Sequence, residues 1–218
     1  MLTRLELLSA PLTGRHVRLE PLSKDHIDGL TAAATADRST FEWTMVPEDR
    51  EAMARYVQVA LDVAAVGGAT PFATIDAATN RVVGSTRFAN LEFVQLALRG
   101  DDTRSVRPYA VEIGWTWLTP SVQRTGINTE AKLLMLTHAF ERWGVHRVML
   151  KTNVRNERSR AAIQRLGATF DGAMRNYLPG GITREAVYYS LLEPDWPAAK
   201  ERLERALAAR STQSLVFA

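Results

Sequence analysis

A mixed α/β fold is predicted by three features of the chain. A strand leads through a glycine-containing turn into a long apolar helix between residues 110 and 143, hairpin patterns lie on either side of it, and helix caps punctuate the remainder. With 218 residues the chain can bury one full core without staples, so a single domain is expected over 1–196, followed by a C-terminal helix or tail over 197–218.

Taken in order, His16-Val-Arg-Leu-Glu-Pro-Leu22 alternates apolar and polar residues as a strand, and Ser23 caps a helix reaching Ala36. Pro47 and Glu48 open a second helix to about Ala65, ended by Gly67-Gly68. Phe72–Asp76 and Arg81–Leu91 then read as a hairpin joined at Asn80. The polar run Arg99–Pro108 has no apolar periodicity and predicts an exposed loop before the strand Ala110–Leu118. Thr125–Trp143 is a helix with a wide apolar arc and Gly144 at its end. Arg147–Asn153 is a strand and Asn156–Leu166 a short helix stopped by Gly167. Thr169–Leu178 and Arg184–Leu192 form a hairpin across Gly180-Gly181. Ala198–Arg210 is charged and alanine-rich, a terminal helix or a frayed tail.

Composition excludes several chemistries. There is no cysteine, hence no disulfide or thiolate, and His16, His26, His138 and His146 lack metal-ligand spacing, so no metal is expected. Neither a signal-peptide pattern nor a bilayer-length apolar run is present, which predicts a cytoplasmic protein without membrane contact. The net charge of +3 comes from interleaved acids and bases, a pattern that argues against nucleic acid and fits an anionic cofactor.

Three segments carry candidate chemistry. From Trp117 to Glu130 a strand end and a proline turn feed a helix start, where unpaired N–H groups and the helix dipole suit a pyrophosphate. Gln123, Arg124, Thr125, Gly126, Ile127, Asn128 and Thr129 form the candidate cradle, and a plain connection capped by Thr125 is the equally simple alternative. In the preceding strand Val111, Ile113, Trp115 and Trp117 share one face and Glu112, Gly114 and Thr116 the other. Glu112 is then either a general base or half of a structural ion pair. Finally, Asn156 caps a helix with Ser159 one turn in, which is either a local cap or part of the site.

Together these residues resemble the GNAT superfamily of N-acetyltransferases, and within it the branch related to ribosomal-protein N-terminal acetyltransferases, from Leu12 to Trp196. The resemblance is carried by Leu12-x-Gly14-x-x-Val17-x-Leu19-x-Pro21-Leu22, Glu112-Ile-Gly-Trp115, Gln123-Arg-Thr-Gly126, and Asn156-x-x-Ser159 before Arg165-Leu-Gly167. It implies acetyl-CoA as cosubstrate, its pyrophosphate on the turn and its pantetheine in a splay between the fourth and fifth strands, here Ala110–Leu118 and Arg147–Asn153. Trp117, Leu118, Thr119, Asn153, Asn156 and Ser159 would line it. Asn128 stands where many members have glycine or alanine. Ile163 replaces a proton-donating tyrosine, which makes Ser159 the thiolate partner. Tyr177 and Leu178 stand where near relatives place a glutamate.

The resemblance implies direct attack of an amine on the thioester, with an N–H near Leu118 polarising the acetyl oxygen, Glu112 acting through water and Ser159 facing the leaving thiol. Phe41, Trp43 and Tyr177 are the candidate acceptor residues. A peptide or protein α-amine is the expected acceptor; a small amine such as a polyamine, amino acid or aminoglycoside is the alternative, and a non-catalytic acyl-CoA binder a third. The same resemblance implies a homodimer paired through sheets or terminal segments, to which Asp195–Arg210 would contribute, although no residue demands it.

Overall fold

A computed structural model describes residues 10–93, 107–178 and 182–216, without the side chains of 176–178, 182–183 and 211–216. The strands are β1 Leu12–Thr13, β2 Val17–Pro21, β3 Ala69–Asp76, β4 Arg81–Glu92, β5 Ala110–Leu118, β6 Arg147–Asn153, β7 Thr169–Leu178 and β8 Ile182–Leu192. They make one sheet in the order β1-β2-β3-β4-β5-β6-β8-β7. β5 and β6 are parallel and the other neighbours antiparallel. Because β1 has only two residues, too short for a pattern to register, the strands expected as fourth and fifth are β5 and β6. Most of the expected Arg99–Pro108 loop, and Gly180-Gly181, lie outside the described residues.

The helices are α1 Ile27–Thr35, α2 Arg50–Ala65, α3 Gly126–Thr137, α4 Glu157–Leu166 and α5 Trp196–Val216. Ser23 caps a 3-10 turn, Lys24–His26, that leads into α1. α2 starts later than Pro47-Glu48 suggested, because the Asp49 side chain accepts from the Ala52 N–H at 2.7 Å and supplies the cap. α3 continues as a π-helical turn, His138–Trp143, and Gly144 ends it at φ +68, a left-handed conformation that glycine takes without steric cost.

Two cores flank the sheet. α1 and α2 cover one face through Leu30, Met53 and Val57, packed on Ala73, Ile75 and Trp117. α3, α4 and α5 cover the other through Ile127, Met135, Leu136, Phe140, Ile163, Trp196 and Leu203, packed on Phe88, Val111, Ile113 and Val148. Each fully buried aliphatic or aromatic side chain contributes about 1.5–3 kcal/mol. The C-terminal segment is thus a helix whose first turns join the main core. No helix among the described residues is long and apolar enough to cross a membrane.

The opening Leu12-x-Gly14 pattern has a physical cause in Glu130 of α3. Its carboxylate accepts the backbone N–H groups of Arg15 (2.9 Å), His16 (2.6 Å) and Val17 (2.8 Å), fixing the β1–β2 turn on the helix that opens the candidate cradle. A Cβ at position 14 would stand 2.4 Å from the Glu130 carboxyl carbon, so a side chain there would push aside the carboxylate that holds the turn.

Candidate active site

β5 and β6 pair at only three positions, Ala110↔Arg147, Val111↔Val148 and Glu112↔Met149. Beyond Glu112 the strands part. β6 stays paired with β8 as far as Asn153↔Ala186, and β5 stays with β4 as far as Leu118↔Gly84, so the sheet opens between them. The Thr119 N–H donates to Val83 C=O on the β4 side at 2.8 Å. By strand alternation the Leu118 N–H turns the other way, towards the opening.

A bulge shapes the β5 lip. The register with β4 shifts between Ser85 and Arg87, opposite Trp115, which sits at φ +54. The extra residue reverses the side-chain parity. This corrects the expectation that Val111, Ile113, Trp115 and Trp117 share a face. Val111 and Ile113 lie in the α3 core, whereas Trp117 is buried on the α1–α2 side against Phe41, ring centroids 5.9 Å apart. Trp115 lines a cavity on that same side and is 50% exposed.

After β5 a 3-10 turn, Pro120–Val122, leads to Gln123 and to Arg124 at φ +62. Thr125 is the cap of α3: its hydroxyl accepts from the Ile127 N–H and donates to the Val122 carbonyl. The first-turn amides of α3 have no carbonyl one turn back to donate to. Ile127 is core, while Gly126, Asn128 and Thr129 are half-buried. A Cβ at Gly126 would meet only ordinary contacts, the His16 ring at 3.4 Å and Leu207 at 3.5 Å. α5 reaches this turn as well, Arg210 donating to the Arg124 carbonyl.

The other lip is the end of β6. Asn153 accepts the Arg155 N–H through its side chain, and Asn156 caps α4 by accepting from the Ser159 N–H at 3.0 Å. Ser159 is half-buried in the first turn, and Ile163 lies in the core. Thr40, in the loop between α1 and α2, joins the lips. Its hydroxyl accepts from Gln123 Nε2 at 2.8 Å and its carbonyl from Arg158 at 3.0 Å. Gln123 Nε2 also donates to the Leu118 carbonyl at 2.8 Å.

Glu112 lies where the strands separate, 1% exposed. Lys151 of β6 pairs with its Oε2 at 2.9 Å and Asn90 of β4 donates to the same oxygen at 2.7 Å. Of the two readings of this carboxylate, the ion pair is present in the structure. Asn90 also lines the cavity, so Glu112 is one hydrogen bond from it.

That cavity, about 720 Å³, lies between the α1–α2 loop, α2 and the β4–β5 bulge. Phe41 is part of its wall; Trp43 is not, and its carbonyl instead accepts from Arg184 of β8. The Tyr177 side chain lies outside the described residues, although its backbone pairs with Thr183.

Two buried cations beside the bulge were not singled out from sequence. Arg87 of β4 is 4% exposed, and its guanidinium lies 4.6 Å from the Trp115 ring centroid and 5.3 Å from that of Tyr56. Lys132 of α3 is on the other face, its ammonium donating to the hydroxyls of Thr116 (2.8 Å) and Thr86 (3.2 Å). Burial pushes its pKa down to about 7. Arg87 sits mid-strand among Ser85, Thr86 and Phe88 with no pattern that marks it as buried, and Lys132 has the look of any helical surface lysine.

A mixed sheet that opens at its one parallel pair, with a capped helix start on each lip, defines the acyl-CoA N-acyltransferase class of fold. The chain belongs to the acetyltransferase (GNAT) domain family, which matches residues 16–169. The Bacillus subtilis protein named “Putative ribosomal N-acetyltransferase YdaF” is 38% identical over 90 residues, 41% of this chain and 49% of that protein, so the match spans about half of the relative's length. A GCN5-related N-acetyltransferase from Brucella melitensis is 27% identical with a TM-score of 0.76, over 91% of this chain and 86% of that one. A T. thermophilus protein likewise named as an acetyltransferase is 30% identical with a TM-score of 0.72, over 90% of this chain and 96% of that one.

Proposed function

We propose that the chain transfers the acetyl group of acetyl-CoA to a primary amine by direct attack, and that the acceptor is a protein or peptide N-terminal α-amine in the cytoplasm. The observation carrying this reading is the opening after Glu112↔Met149, with unpaired backbone on the β5 lip and helix starts on both. The residues present fit the cosubstrate. The first-turn amides of α3 that the Thr125 cap does not take suit the diphosphate, and Gly126, which nothing in the fold requires to be glycine, leaves room for it to approach closely. Acetyl-CoA supplies the activated acyl carbonyl.

In this reading the Leu118 N–H polarises the acetyl oxygen. Ser159 hydrogen-bonds the departing sulfur, and Glu112, held against Lys151, takes the amine proton through water. Holding both reactants in place supplies up to roughly 7–11 kcal/mol of the barrier, against about 10²–10⁴-fold for one general base. An α-amine titrates near 8 and a lysine amine near 10.4, so a terminal amine needs the less help. The name of the Bacillus subtilis relative supports a ribosomal acceptor.

Calorimetry with coenzyme A and thiol release with N-terminal peptides, polyamines and aminoglycosides test the reading. Binding of coenzyme A and release with peptides are expected; absence of both removes it. In the same assay Glu112→Gln should flatten the acidic limb of the pH–rate profile. Ser159→Ala should slow turnover severalfold, with coenzyme A affinity retained.

A further inference from the structure

Arg87 stands out among the charged residues of the molecule. A guanidinium keeps its proton at any accessible pH, so unlike a lysine it cannot escape burial by becoming neutral. Its Nε is buried with no hydrogen-bond partner, and no ion pair to Arg87 occurs among the described residues. What surrounds it is the rings of Tyr56 and Trp115, which hold the planar group in position without neutralising it. Both rings, and Arg87 itself, line the cavity.

The position relative to the site is set by strand register. Arg87 is opposite Gly114 and Ala89 opposite Glu112, so the guanidinium is anchored two residues along the sheet from the carboxylate beside the opening, roughly 7 Å. The other charged residues around the cavity are already engaged: Arg38 donates to the Val46 and Pro47 carbonyls and to Glu48, and Arg55 to Glu51. Phe41, Met45 and Val46 make the remaining wall largely apolar.

We propose that the amine acceptor carries a carboxylate, which Arg87 binds as a preformed fork, within one or two residues of the amine that is acetylated. This deepens the reading above and rests on it. A polycation has no complementary group here, since the one unpartnered charge among the described residues of the wall is positive; an acceptor that is both amine and acid matches it. The carboxylate has two sources, an acidic side chain early in a peptide or the carboxylate of a free amino acid.

The test compares matched acceptors: C-terminally amidated peptides with Glu or Gln at the second position, and free aspartate and glutamate against their amides. Both kcat/KM and calorimetric binding in the presence of coenzyme A are read for wild type, Arg87→Gln and Arg87→Lys. The expected result is a preference for acid over amide of about tenfold or more in wild type. It should fall to within about twofold of unity in Arg87→Gln and be intermediate in Arg87→Lys, which keeps the charge and loses the fork. Which acid series shows the preference names the source. Equal handling of acid and amide by wild type, or a preference that survives Arg87→Gln, overturns the proposal and leaves acetyl transfer standing. Acid-specific, Arg87-dependent binding without thiol release upholds Arg87 as the carboxylate site and removes the transfer reading, and with it the acetylation of the bound amine. Failure of every acceptor to bind or react overturns both. If Arg87→Gln does not fold, the Arg87→Lys comparison decides alone.

Discussion

The two faces of the sheet treat a buried cation in opposite ways, and the residues concerned are neighbours. On β4, Thr86 faces α3 and Arg87 faces α2; on β5, Thr116 faces α3 and Trp115 the cavity. On the α3 side Lys132 is fully enclosed, meets two hydroxyls and loses much of its charge near neutrality. On the α2 side Arg87 meets two aromatic rings and an open space, and must keep its charge. A lysine in a closed core has adapted to the absence of an anion, whereas an arginine beside a cavity waits for one.

The contrast is sharpest at Lys132. Its pKa falls from 10.5 to about 7 on folding, so between those values the unfolded chain binds the proton that the native chain has released. Stability therefore rises with pH over that window, and the burial penalty is fully present below about pH 7. Lys132→Met should stabilise the protein by on the order of a few kcal/mol at pH 6, the gain shrinking towards pH 10. Urea midpoints at the two pH values check this, and a gain independent of pH would break the comparison. Next in size is Thr116→Val, which removes the nearer acceptor and should cost about 1–3 kcal/mol, more at pH 6 than at pH 9. Smallest is Trp115→Leu, which takes one ring from Arg87; a loss of about 0.5–2 kcal/mol is expected, unchanged from pH 6 to 9 because the guanidinium does not titrate. A pH-dependent Trp115→Leu effect would show that the two faces are not independent.

Much of the scaffold was legible because its signals are local. Ser23, Asn156, Gly144 and Gly167 mark helix ends by capping chemistry, and the β5 limits, Ala110–Leu118, agree with the pattern. The opening between Ala110–Leu118 and Arg147–Asn153 is expected from the family resemblance, not from any local pattern. What was not legible depends on geometry without a local signature. No pattern announces the left-handed Trp115, yet that residue decides which side of the sheet Trp115 and Trp117 occupy. Glu130 reads in the sequence only as the end of the strand-turn-helix run, and it accepts three amides more than a hundred positions away. Lys151 could be identified as the partner of Glu112 only once the strand register was known.

Thr40 couples the opening to the cavity. One residue accepts Gln123 through its side chain and Arg158 through its backbone, while Phe41 beside it forms a wall of the cavity. Any widening of the gap between β5 and β6 would have to lengthen these two hydrogen bonds, and Phe41 is the next residue along the chain. The opening and the cavity are thereby joined through a single loop residue and its neighbour.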